Sequence, residues 1–171
     1  MPIEMLVLRV LHIVGAVIWA GTGIFVAVFL LPAMGMAGPA GAPVMGALVK
    51  RRLFVIVPTV AVITMLAGLR MMWIASGGYS EAYFTSRTGA TYGIGAVCAI
   101  AAFTVFMLIN HPAIGRMGQL QQQIAQAPEA DRGPLMAQVH AVRNRAAKGS
   151  RASALLLTVT AVCMALGRYV S

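Results

Sequence analysis

The chain has 171 residues, 60% of them hydrophobic, with 13 basic and only 4 acidic side chains and a net charge of +9. A soluble domain carries about a quarter charged residues, whereas here they make up 10% and fall almost entirely between long apolar runs. A soluble globular domain is thereby excluded. The basic residues form no patch of the kind that grips nucleic acid, so no nucleic-acid partner is expected.

A bilayer core takes about 20 apolar residues as a helix, and four runs qualify: 5–31, 53–75, 88–110 and 152–170. They are too long and too evenly apolar for barrel strands, so lipid leaves only the helix as a way to satisfy their backbone. The first run outlasts a signal-peptide core and has no small-residue cleavage site before a polar mature sequence; it reads as a retained span. The connection 32–52 is rich in Gly, Ala and Pro and closes on Lys50-Arg51-Arg52. The connection 76–87 is short and contains Gly77-Gly78. The polar region 111–151 holds a short helix over 119–126, and Pro134 opens a helix that runs on into the fourth span. His111, just before Pro112, reads as the end of the third helix. No internal repeat stands out.

These elements predict one all-α domain over 1–171, an integral membrane four-helix bundle with a cytoplasmic helical connection at 111–151. Nine cations (Lys50, Arg51, Arg52, Arg116, Arg132, Arg143, Arg145, Lys148, Arg151) fall in the first and third connections, against Arg9, Arg70, Arg87 and Arg168 on the other side. The positive-inside rule then gives N-out/C-out topology in a membrane crossed several times.

With that topology, His12 lies roughly 10 Å inside the outer end of the first span at 1.5 Å per residue. The same depth on the other helices reaches Gly68, Gly95 and Cys163, with Gly15, Met65, Cys98 and Met164 close by. Arg9, Arg70, Arg87 and Arg168 stand above them. Arg9, His12, Trp19 and Gly23 share one helix face. Each feature has an ordinary structural explanation: an interhelical hydrogen bond for His12, close packing for the glycines, snorkelling for the arginines, filling for the methionines. Their convergence on one depth instead points to a site, because an ionisable residue within a span marks function by default. Haem b fits that set, with His12 as axial ligand and Met65 or Met164 as a further donor. Gly15, Gly68 and Gly95 would leave room for the ring, with Trp19 on the same face, and Arg9, Arg70 and Arg168 would meet the propionates.

His111 and His140 lie on the other side, too far away to share an iron with His12. Cys98 and Cys163 form no CxxC pair. No soluble-enzyme motif is present. The four acids all lie outside the spans, which argues against a proton-coupled transporter.

The stretch Arg9-Val10-Leu11-His12-Ile13-Val14-Gly15-Ala16-Val17-Ile18-Trp19, with Lys50-Arg51-Arg52-Leu53, Pro58, Thr64 and Gly68, resembles two related groups of small bacterial membrane proteins. They are the membrane-type protoporphyrinogen IX oxidase family and the copper-resistance D-like family. The likeness covers the first 75 residues or so and the four-helix layout. The first family implies a haem b ligated by His12 beside a basic Arg9, although Leu31-Pro32-Ala33-Met34 stands where that family has a further histidine. The second implies copper movement, with His12, Met65, Cys98, Cys163 and Met164 as soft ligands suited to Cu(I).

Three functions are therefore expected in order: a haem b protein with an electron-transfer or haem-related redox role, extending to a haem-dependent membrane oxidoreductase; a copper transport or resistance protein; and a non-catalytic subunit docking through 111–151. The partners implied are the bilayer, a quinone or redox protein, and a second copy or membrane complex.

Overall fold

In the computed structural model, residues 3–170 are described, apart from the side chain of Pro39. Four helices are long and apolar enough to cross a membrane: Ile3–Ala37, Leu53–Ser76, Arg87–Gln126 and Glu129–Leu166. Among the described residues the order is α1 (Ile3–Phe25), a π-helical turn (Val26–Leu30), α2 (Leu31–Ala37), a 3-10 turn (Gly38–Gly41), α3 (Ala42–Lys50) and α4 (Leu53–Ser76). Then follow α5 (Glu81–Thr85), α6 (Arg87–Val105), a second π-helical turn (Phe106–Asn110), α7 (His111–Gln126) and α8 (Glu129–Leu166).

Neighbouring helices run antiparallel, and each hairpin, α1 with α4 and α6 with α8, packs far more extensively within itself than against the other. Arg70 meets Glu4 at one end of the first hairpin, while Tyr92 meets Gly167 and Ile109 meets Gly149 at opposite ends of the second. The end holding 27, 53, 110 and 149 is the basic end.

The packing is that of a protein in lipid. Apart from Trp19 and Leu157, the buried apolar residues of the spans are alanines: Ala27, Ala61, Ala67, Ala99, Ala102 and Ala154. Large side chains point outward instead, as with Val17 at 69% and Leu155 at 67% exposure. Lipid tails solvate Leu and Val as well as a protein interior does, so association relies on small residues that let backbones approach closely. Polar side chains add interhelical hydrogen bonds: Ser153 Oγ to the Ala102 carbonyl (3.2 Å) and Thr160 Oγ1 to the Gly95 carbonyl (3.1 Å).

Two expectations about helix ends are corrected. His111 does not end the third helix; α6, the π-helical turn and α7 form one rod from Arg87 to Gln126. Pro112 has no N–H and its ring crowds the carbonyl four residues back, so the ladder shifts register in the turn just before it. The turn before Pro32 does the same on α1. Pro134 does not open its helix either: α8 starts at Glu129, with Glu129 and Asp131 in its positively polarised first turn.

The two hairpins also share a plan that the sequence reading missed. His12 and Tyr92, Gly15 and Gly95, and Pro32-Ala33-Met34-Gly35 and Pro112-Ala113-Ile114-Gly115 recur at one constant spacing. In each hairpin a ring on the first helix fills the notch left by a glycine on the second, His12 at Gly68 and Tyr92 at Gly167. The two first helices run the same way, and both carry their π-helical turn at the same constant spacing.

Candidate functional site

His12 sits on the face of α1 that turns toward α4, in line with buried Gly15 and Trp19. Its Nδ1 lies 2.8 Å from the Thr64 carbonyl oxygen. A carbonyl only accepts, so in the neutral ring Nδ1 carries the proton and the lone pair is on Nε2. Gly68 makes this contact geometrically available. A helical Cβ leans back over the preceding turn, and at position 68 it would lie 2.7 Å from His12 Cε1 and 2.9 Å from Nδ1. Thr64 turns its own hydroxyl to the Val60 carbonyl at 2.8 Å, which leaves Oγ1 against Gly15.

The bundle is closed at its middle by Trp19, Ala61, Ala99, Ala102 and Leu157. Toward the end opposite the basic one, the same faces carry Leu8, His12, Met65, Tyr92 and Met164, and each of these is only half-buried. The imidazole is thus held by one nitrogen, half-buried, toward the end opposite the basic one.

The other expected site residues divide. Trp19 belongs to the mid-bundle core, edge-on to Phe103 at 6.4 Å between ring centroids. Met65 packs against that same core. Met164 and Cys163 press on Gly95, where an added Cβ would lie 3.0 Å from each. Arg9 is exposed. Arg70 is paired with Glu4 at 2.8 Å, and the Arg168 guanidinium lies 4.6 Å from the centre of the Tyr169 ring. His111 and His140 are exposed at the basic end.

The donor chemistry at His12 fits an axial imidazole. Ligating histidines characteristically give their second N–H to a carbonyl or carboxylate, which fixes tautomer and orientation. Gly15, Gly68 and Gly95 lie against Thr64, His12 and the Cys163–Met164 pair, so each also lets two helices approach closely. Arg70 and Arg168 likewise have neighbours of their own. Among the described residues, no three His, Cys, Asp or Glu side chains gather as a metal cluster.

Three residues matter more than the sequence reading allowed. Thr64 supplies the carbonyl that orients His12. Tyr92 is its counterpart in the second hairpin, and its place in the repeat was the available signal. Asn110, a buried polar residue at the end of a span, donates from Nδ2 to the Ala146 carbonyl (2.9 Å) and Ser150 Oγ (2.6 Å). Its Oδ1 is buried without a partner among the described residues.

On the extramembrane segment α5, Tyr83 has its phenol pushed above the ordinary value, first by burial and then by the nearby Tyr92. No family model, no curated protein and no solved structure matches this chain, so the likeness of its first span to two membrane families rests on the quoted residues alone.

Proposed function

We propose that this multi-pass membrane protein binds haem b at the end opposite its basic one, with His12 Nε2 as an axial ligand and an electron-transfer or haem-related redox role. One observation carries the reading: the Nδ1 contact to Thr64 holds the ring on the inward face of α1 and leaves the lone pair on the other nitrogen. Bound haem would supply one-electron chemistry; the chain supplies the imidazole, its orientation and a low-dielectric surrounding. Arg9, exposed one turn from His12, is the arginine on that helix suited to a propionate. The excess of cations at the basic end supports placing that end in the cytoplasm and the His12 end outside it, in a bacterial inner membrane. A quinone or a redox protein would then be the electron partner.

A second reading, a non-catalytic subunit, is favoured by α7 and the first half of α8. These helices continue well past the spans as a paired, largely exposed rod, the kind of surface a partner could grip.

A reduced-minus-oxidised visible spectrum of protein purified from membranes separates the readings. A b-type α band that disappears in His12→Ala is the expected result. Colourless protein with stoichiometric copper would favour the copper reading. Colourless, metal-free protein would leave the subunit reading.

A further inference from the structure

At the basic end, an open surface cleft of 540 Å³ runs along the seam between the third span and α8 and crosses from apolar to charged surface. Val105 and Ile109, near the end of the third span, and Ala152, at the start of the fourth, line its membrane side; Asn144, Arg145 and Lys148 line the other. A smaller cleft of 220 Å³ shares Ile109 and Arg145 with it and adds Arg116. On α8 the lining residues Ala141, Arg145, Lys148 and Ala152 fall on one helix face, so the charged and apolar parts are stacked along the bundle axis.

The charges here have no internal counterpart. Among the described residues the one ion pair joins Arg70 to Glu4, at the other end of the molecule. Glu129 and Asp131 lie in the first turn of α8, on the order of 20 Å from Arg145 along the helix. Arg116 is held by Gln138 Oε1 at 2.8 Å, whereas Arg145 and Lys148 form no ion pair among the described residues. Two uncompensated cations at a membrane boundary, above an apolar trough, complement an anionic headgroup that brings its own acyl chain.

We propose that this cleft binds an anionic phospholipid from the surrounding leaflet. Its phosphate would lie between Arg145 and Lys148, with one acyl chain along Val105, Ile109 and Ala152. A zwitterionic lipid has the same shape, but its own amine offsets the phosphate, so charge selects between the two. This inference is independent of haem and holds for either orientation of the protein in the bilayer.

The test reconstitutes the full chain into phosphatidylcholine vesicles. It compares the motionally restricted fraction of spin-labelled phosphatidylglycerol with that of spin-labelled phosphatidylcholine. The wild type is expected to prefer phosphatidylglycerol several-fold. R145Q/K148Q should abolish most of that preference, bringing the two lipids near parity, while R51Q/R132Q, which removes equal charge from the same end outside the cleft, should leave most of it. Ala152→Phe keeps both charges but fills the trough, and it too should lower the preference; far-UV circular dichroism checks that each variant is folded. An unchanged preference in R145Q/K148Q, or an equal loss in R51Q/R132Q, overturns the proposal. Loss of the wild-type preference on adding inorganic phosphate at tens of millimolar, but not sodium chloride at matched ionic strength, would also overturn it, by pointing to a free-anion site.

Discussion

Replacing Gly68 with alanine should destabilise the protein, and the sign is the informative part. In a helix with open space around it, Gly→Ala stabilises by about 1 kcal/mol through backbone entropy. At position 68 the new methyl would lie 2.7 Å from His12 Cε1, when carbon atoms rest at about 3.5–4.0 Å. The ring must retreat by about 1 Å, which stretches its 2.8 Å contact to the Thr64 carbonyl past hydrogen-bonding range. Overpacking costs about 1–3 kcal/mol and the lost interhelical bond about 0.6 kcal/mol. Set against the propensity gain, the net loss is about 0.5–2.5 kcal/mol. Unfolding in mixed detergent micelles, followed by far-UV circular dichroism, measures it for G68A, H12A and the double variant. In the H12A background the alanine should turn neutral or stabilising, giving a coupling of about 1–3 kcal/mol. A stabilised G68A single variant, or additive effects in the cycle, would refute the notch.

Gly167→Ala should behave in parallel, since a Cβ there would lie 2.5 Å from Tyr92 Cε1; Tyr92→Ala should relieve it, as the same unfolding assay would show. Asn110→Ala loses two hydrogen bonds from a buried amide and should cost about 1–2 kcal/mol. Asn110→Asp should cost more, because an acceptor replaces the Nδ2 donor facing the Ala146 carbonyl. Tyr83, whose phenol is held above its ordinary value, favours the folded state fully below about pH 10 and less as pH rises toward its folded value. Alkaline unfolding should therefore begin at higher pH in Tyr83→Phe, and a spectrophotometric phenol titration should lose a component that titrates above the ordinary tyrosine value.

The spans were legible because lipid demands long apolar helices, and the sequence supplies four, with most of its charges between them. The helix ends were harder to read. Pro112 and Pro134 are strong stop and start signals locally, yet a π-helical turn absorbs the first and α8 simply runs through the second. In the site, the shared depth of His12 and Gly68 was readable by counting residues from the helix ends. What the glycine did there was not, because the same residue leaves room for a cofactor or for a neighbour's ring, and only side-chain positions choose between them. The repeat escaped notice because its matched positions are few and widely scattered, and the rings that occupy equivalent places, His12 and Tyr92, differ chemically.

The central claim, that His12 Nε2 is an axial ligand held ready by Thr64, is tested most directly by chemical rescue. His12→Gly removes the imidazole and leaves a gap of its size. The purified variant should lack the b-type α band in its reduced spectrum, and adding haem with millimolar free imidazole should restore it, with no effect in His12→Phe, where the gap is filled. An α band already present at full strength in His12→Gly before imidazole is added would contradict the account.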